Sequence, residues 1–278
     1  MRVIACLAPV IDSELVEYDL ANDRLCNIYL DSDPIAWQVL EEALRLKENG
    51  TCNVTALSVS PDNGIEVLRQ FLLQGADRAI RVWQEQFGEV DAWTVAEAMG
   101  QVIEKIGFDL VLCGTRSSDY ASELIGFALA GILGIPCITG VIGLKLEQGN
   151  KLTVHKKIQM GRRVTYRISL PAVLGLEDGI NEPRYVAPFS KSYRIGLGKD
   201  VEYIEAEVDQ RSAVPLLKTL RLAPSRPRVK VGLDVSAMSM QQRLKMMRGD
   251  LGRKKEIYHG GAGEAAKKIL SEIKDALA

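Results

Sequence analysis

The turn Gly114-Thr115-Arg116-Ser117-Ser118-Asp119 holds the residue types in this chain best suited to binding chemistry. It follows an apolar run, FDLVLCG, and precedes a second apolar stretch, ASELIGFALAGILG. A glycine permits close backbone approach, and Ser117, Ser118 and Asp119 are residues that cap helices. A helix behind them presents free N–H groups and the positive end of its dipole, which suit a phosphate. Arg116 adds a cation for a charge-assisted contact. The same residues also serve merely to cap a helix, and the pattern is neither a Walker loop nor a dinucleotide fingerprint. Residue type alone leaves both readings open.

Other candidates are poorer. His155 and His259 lie far apart in the chain, which disfavours a shared metal or catalytic role. HGGAG, residues 259–263, has no strand before it and reads as a hinge. Glu41 and Glu42 sit on a helix whose other face is apolar, so a solvated face is expected for them. The basic runs RRVTYR and GRKK lack interleaved aromatics, which argues against nucleic acid. No Ser/His/Asp or Cys/His set assembles, so the expectation is a carrier or binding protein with no catalytic residue of its own.

The elements that must position the turn are legible from periodicity. RVIACLAPV (2–10) reads as a buried strand. Pro34 opens a helix striped by Ile35, Val39, Leu40, Leu44 and Leu46, with Gly50 to close it. NVTALSVSP (53–61) is a second strand; a helix stopped near Gly75 and a strand over Ala79–Trp83 follow. AWTVAEAMGQVIEKIG gives a helix, FDLVLCG a strand, and ASELIGFALAGILG a helix ending before Pro136. This alternation implies a doubly wound, mostly parallel α/β sheet of Rossmann-like type. Ligands of such sheets sit beyond the strands' carboxyl ends, here Cys6-Leu7-Ala8, Val59-Ser60-Pro61 and Gly114-Thr115-Arg116.

From about residue 138 the pattern becomes alternating about Gln148-Gly149-Asn150, a hairpin signature within a β extension spanning about 140–170. RRVTYRISLPAVLGL supplies one or two further strands. An α/β domain over 1–220 is expected, followed by an arm over 221–278. The arm combines a Pro/Arg linker with an amphipathic helix carrying Ile269, Ile273 and Leu277, which needs a surface to cover, either on a partner or within the chain.

The bulk numbers agree. The 278 residues are 47% hydrophobic and 26% charged, and 35 Lys and Arg nearly balance 36 Asp and Glu, so no global field favours nucleic acid or an anionic membrane. No apolar stretch has the length of a membrane span, and MRVIACLAPVID reads as a first strand rather than a signal peptide. The five cysteines, several in apolar runs, read as reduced core residues of a cytoplasmic protein.

Several separated segments resemble the β subunit of electron transfer flavoproteins. They are RVIACLAPVID, DPIAWQVLEEALRLKE, LLQGADRAIRV, DLVLCGTRSSD and, most distinctive, SLPAVLGLEDGINEPRY, together covering about residues 2–205. The resemblance implies a heterodimer with an FAD-bearing α subunit. Within this subunit it implies AMP or, in electron-bifurcating members, a second FAD. It also implies electron flow from flavin dehydrogenases, such as those acting on acyl-CoA, to a membrane quinone reductase reached by transient contact. By position the family's nucleotide contacts fall on Cys6, Asp33 and Val59. The rest fall on Gly114, Thr115, Arg116, Ser117, Ser118, Asp119, Ser122, Glu123, Leu124 and Ile125. The family's recognition loop corresponds to about residues 184–196, with Phe189 nearest to its docking leucine. The sequence departs from the family at Ala8, where a lysine is usual, at Asp33, where Asn is usual, and at Tyr120 and Glu123 in the phosphate loop. Three readings are open: a carrier subunit, a bifurcating subunit that oxidises NADH, and a stand-alone adenine-nucleotide module.

Overall fold

A computed structural model describes residues 1–187, 198–206 and 208, apart from 13, 20, 21, 23, 27, 51, 85, 86, 88–90, 120 and 148, together with 239, 240, 261, 263, 264, 266, 267 and 270. The chain separates into two compact units, Met1–Ala223 and Pro224–Ala278. In the second, residues 263–264, 266–267 and 270 are helical. The Pro/Arg linker, GRKK, His259 and the stripe residues Ile269, Ile273 and Leu277 lie outside the described residues.

The first unit begins with β1 (Arg2–Cys6), shorter than the expected strand because the chain leaves the sheet before Pro9. Strands β2 (Pro9–Ile11), β3 (Glu17–Asp19), β4 (Arg24–Cys26) and β5 (Leu30–Ser32) form two small antiparallel pairs, β2 with β5 and β3 with β4. Helix α1 (Pro34–Glu48) follows, with Pro34 in its first turn and all five expected stripe residues buried. Then come β6 (Asn53–Val59), α2 (Ile65–Gln74) and β7 (Arg78–Trp83). Gly75 ends α2 at φ 132°, a conformation that favours glycine.

Helix α3 (Ala92–Ile106) is capped by Asp91, whose carboxylate accepts the Thr94 N–H at 2.9 Å. It leads to β8 (Leu110–Gly114), α4 (Ile125–Leu133) and the hairpin β9 (Cys137–Glu147) and β10 (Lys151–Lys157). The hairpin turns at Gly149 and Asn150, both left-handed, as the Gly-Asn signature predicts. Strands β11 (Arg163–Ser169), β12 (Ala172–Leu176) and β13 (Glu202–Glu205) complete the unit.

Among the described residues one sheet has the order β11-β10-β9-β12-β8-β1-β6-β7-β13. Every pairing from β9 to β13 is parallel, and β10 pairs antiparallel with both neighbours. The mostly parallel α/β architecture is therefore as read from the periodicity, with the β extension as its far edge. Strand alternation sorts the core into two layers. Val3, Ala5, Leu110 and Leu112 pack with α1 and α2 on one face. Ile4, Cys6, Val111 and Cys113 pack with α3 and α4 on the other. Strand β13 has no turn or period signal in the sequence; its edge position is pinned by Arg78 Nε and Nη2 donating to Glu202 at 2.8 and 2.7 Å.

The connectivity sets where a ligand can enter. From β1 the chain winds outward through β6 to β7, then returns to β8 on the opposite side of β1. Strand order therefore reverses between β1 and β8. The crevice beyond their carboxyl ends is where open α/β sheets take ligands.

Candidate functional site

A cleft opens at that reversal. Its first lobe, about 550 Å³ up to its open mouth, is walled by the end of β1 (Cys6, Leu7, Ala8), the end of β8 and its loop (Cys113 to Ser117), α1 and α3 (Val95, Met99), and the segment Ser122 to Ile125. The second, about 590 Å³, is walled by Pro34, Ser118 and Leu176 to Asp178. Asp33, Ile35, Thr115, Arg116 and Ser117 border both.

The loop after β8 is not built as its residue types suggest. Helix α4 starts at Ile125, not at Ala121, and Leu124 caps it without a side-chain hydrogen bond. Ser117, Ser118 and Asp119 are thus not caps of α4. The intervening chain is held off the helical path by Ala121 and Glu123, which adopt φ 48° and 55°. Positive φ at non-glycine residues costs on the order of 1 kcal/mol or more each and concentrates at binding sites. The consequence is an uncapped helix start whose first residues, Leu124 and Ile125, line the first lobe. Its N–H groups are the donors available there to an anion.

Asp33 performs the capping elsewhere. One carboxylate oxygen accepts the Ile35 N–H at 3.2 Å and the other the Ser118 N–H at 2.9 Å, so a single side chain caps α1 and ties it to the loop 85 residues on. Asp33 is 2% exposed. Burial pushes its carboxyl up, the two N–H bonds oppose this, and the charge of Asp119 adds to the rise. Thr115 anchors the loop to the other side of the sheet: its N–H donates to Leu176 O at 2.8 Å and its hydroxyl accepts the Gly140 N–H at 3.2 Å. Arg116 and Glu123 pair loosely at 3.9 Å at the rim, both more than half exposed.

The glycine of the turn has a different task from the one its position suggests. A Cβ on Gly114 would meet Ile35 Cγ2 at 2.9 Å and Cγ1 at 3.0 Å, so the close approach is that of α1 onto β8. Ile35 then forms the wall that a ligand touches. Gly126 has the same role for α4: a Cβ added there would meet Cys113 Sγ at 3.2 Å.

Most of the expected residues converge on the cleft. Cys6, Asp33, Gly114, Thr115, Arg116, Ser117, Ser122, Glu123, Leu124 and Ile125 border the first lobe and Ser118 the second. Val59 ends β6, one strand beyond β1, and borders neither lobe. Asp119 acts on the cleft through its charge on Asp33. Phe189 lies outside the described residues. Sequence reasoning did not pick out Ile35, Ala36, Val95 and Met99, whose helical spacing signals only burial; which of two buried faces meets a cleft is a tertiary property.

Four of the cysteines pack in the core, and Cys26, on the small β3/β4 pair, does not. All five are free, and Cys6, Cys52 and Cys113 are buried. Burial pushes the Cys6 thiol up to about 12 and Cys137 to about 11, so the thiols beside the cleft remain neutral. His155 is exposed on β10, its Nδ1 2.9 Å from Thr165 Oγ1. Among the described residues no cluster suits a metal ion.

Glu41 and Glu42 overturn the expectation of a solvated face. They are 4% and 8% exposed because the segment after β12 covers them. Arg184 Nε and Nη2 grip Glu41 at 2.7 and 3.1 Å, Arg45 Nε reaches it at 3.0 Å, and Asn181 Nδ2 donates to Glu42 at 2.9 Å. Burial works to raise both carboxyls. In Glu41 the arginines prevail and hold it below the usual range; in Glu42 burial prevails.

The fold and cleft define a doubly wound α/β protein with a crevice at the β1/β8 reversal. Residues 31–208 match the family model described as the electron transfer flavoprotein domain. The chain is 38% identical over 151 residues to the electron transfer flavoprotein subunit beta of Methylophilus methylotrophus, covering 53% of this chain and 57% of that protein. It is 30% identical over 187 residues to the subunit of the same name from Thermoanaerobacterium thermosaccharolyticum, covering 66% and 71%. It is also 30% identical over 191 residues to the caffeyl-CoA reductase-Etf complex subunit CarD of Acetobacterium woodii, covering 67% and 72%. The chain belongs to the electron transfer flavoprotein family, with the beta subunits.

Proposed function

We propose that this chain is the beta subunit of a two-subunit electron transfer flavoprotein, carrying a bound adenine nucleotide and pairing with an FAD-bearing alpha subunit. The observation that carries the nucleotide reading is the cleft at the β1/β8 reversal with an uncapped helix start inside it. Its apolar walls, Leu7, Ala8, Ile35, Ala36, Val95 and Met99, suit a base. The amides of Leu124 and Ile125, with Arg116 at the rim, suit one phosphate. The thiols that border the site are protonated at neutral pH. The flavin of the partner subunit supplies the redox chemistry; this chain's residues bind, orient and dock.

In this reading the complex takes electrons from flavin dehydrogenases, such as those acting on acyl-CoA, and delivers them to a membrane quinone reductase. The segment after Arg184 is the recognition loop, Phe189 its apolar contact, and 221–278 the arm on the partner. Five free cysteines fit a reducing compartment, the cytoplasm. Among the described residues no helix is long and apolar enough to cross a membrane. A second reading, a bifurcating subunit with its own FAD, is favoured by the likeness to CarD, a subunit named for a reductase complex.

The test is nucleotide analysis of the purified complex after denaturation. Colourless AMP, one per beta subunit, supports the carrier; a second FAD supports bifurcation. No adenine nucleotide in either subunit's share beyond the alpha-bound flavin refutes the site.

A further inference from the structure

The two lobes of the cleft differ in charge, and one residue stands between them. The second lobe is bordered by three carboxylates, Asp33, Glu177 and Asp178, against one cation, Arg116. Its backbone is fixed: Glu177 N–H donates to Val141 O at 2.8 Å, and Gln38 holds Asp178 Oδ1 at 2.6 Å while accepting the Gly179 N–H at 2.8 Å. The donors that could have served an anion on this side, the start of α1 and the Ser118 N–H, are already taken by Asp33. The first lobe is bordered by two carboxylates, Asp33 and Glu123, with the same Arg116, and differs in holding a helix start with no side-chain hydrogen bond on it.

We propose that Asp33 is the charge-selecting residue of the cleft: it admits a nucleotide with a single phosphate, seated at Leu124 and Ile125, and turns away one whose phosphate chain extends into the second lobe. This rests on the nucleotide reading above. Asp33 occupies the Ile35 and Ser118 N–H groups at the junction with its own carboxylate, so a second phosphate there meets negative charge where those two donors would otherwise serve it. Hydroxyl groups meet no such barrier, because a carboxylate accepts from them. Other charges at the junction do not reverse this. Arg116 is shared with Glu123, and Asp119 adds negative charge.

The experiment is equilibrium dialysis of labelled adenosine, AMP and ADP against the full-length protein, purified with whatever subunit accompanies it, stripped of nucleotide and compared with Asp33→Asn and Asp33→Ser. Serine keeps a helix cap without the charge. The wild type is expected to bind AMP at least about tenfold more tightly than ADP, since like charges at a few ångströms in a partly buried site oppose binding by that order. Both variants should narrow the ratio to roughly threefold or less, with adenosine changed less than about twofold. An AMP-to-ADP ratio equal in wild type and variants overturns the proposal, as does a wild type that binds ADP as well as AMP, which decides the matter even if the variants do not fold. If wild type and variants bind none of the three ligands, the nucleotide reading falls and takes this one with it.

Discussion

Arg184→Ala tests the claim that the segment after β12 is locked onto α1 by charge. Arg184 lies in NEPRY, and it makes a two-pronged contact with Glu41 and a third bond to Glu48 at 2.6 Å. Removing one partner of a fully buried pair costs about 3–5 kcal/mol, because the other charge is left in a poor solvent. Here the cost is smaller, since the Arg184 side chain is 29% exposed and Arg45 still reaches Glu41. A loss of about 2 kcal/mol is expected, or a drop in Tm of about 4–8 °C for a unit of this size. Arg184→Lys keeps the charge but not the fork, so it should fall between. Arg69→Ala breaks the exposed pair with Glu66 and should cost at most about 0.5 kcal/mol.

The pH dependence has a definite sign. Glu41 is held below its ordinary value of 4.5 by the arginines despite burial, so it binds fewer protons folded than unfolded at acid pH. Its stabilisation is complete above 4.5 and is lost as pH falls through the lowered folded value. The gap between wild type and Arg184→Ala, read by thermal or urea unfolding, should be widest near neutrality and close on acidification. A variant within about 0.5 kcal/mol of wild type at pH 7, or a gap that does not narrow in acid, refutes the lock.

Gly114→Val places methyls where Ile35 already stands, 2.9 Å from the added Cβ; Ile35 must move into the cleft, and bound nucleotide after purification should drop sharply, while Gly131→Ala, in open space on α4, should leave it unchanged. Cys6 and Cys113 should resist a thiol reagent at pH 8 in the native protein and react after denaturation; labelling of either without unfolding would contradict their burial. Asp91→Ala removes the cap of α3 and should cost about 1 kcal/mol by urea unfolding without changing nucleotide content, since Asp91 borders neither lobe.

Local rules made much of the frame legible. Pro34 with a stripe at helical spacing is a local pattern, and α1 follows it residue for residue. Gly149 and Asn150 dictate their turn by backbone preference alone, and the hairpin follows. What escaped was set by distant partners. Glu41 and Glu42 look like a solvated pair until Asn181 and Arg184 arrive from about 140 residues away. Strand β13 is four residues, too short for a period, and exists because β7 offers an edge. The start of α4 was misplaced because ASEL has helical propensity, whereas the structure spends that segment on two left-handed residues. The polar residues that border the cleft were named mainly by resemblance, and the apolar residues that wall it, Val95 and Met99 among them, carry no mark except apolarity.

Helix α1 connects these features into one device. Its N-terminus, through Asp33, holds the loop that borders both lobes; its middle, through Gln38, fixes the Asp178 turn at the far side of the cleft; its last turns, through Glu41, Glu42 and Glu48, grip the segment leading toward the proposed recognition loop. A displacement of the Asp33 end is therefore resisted by ionic and amide contacts along the whole helix, about 20 Å at 1.5 Å per residue. In a protein whose own chemistry is to bind and orient, that rigidity is the contribution of the chain. In the proposed reading a nucleotide seated against Ile35 would add contacts to the same helix that holds Asn181 and Arg184. Loss of the nucleotide should accordingly loosen Arg184 as well as the cleft, measurable as faster amide exchange over 177–187, and unchanged exchange there would mean that α1 serves the two ends independently.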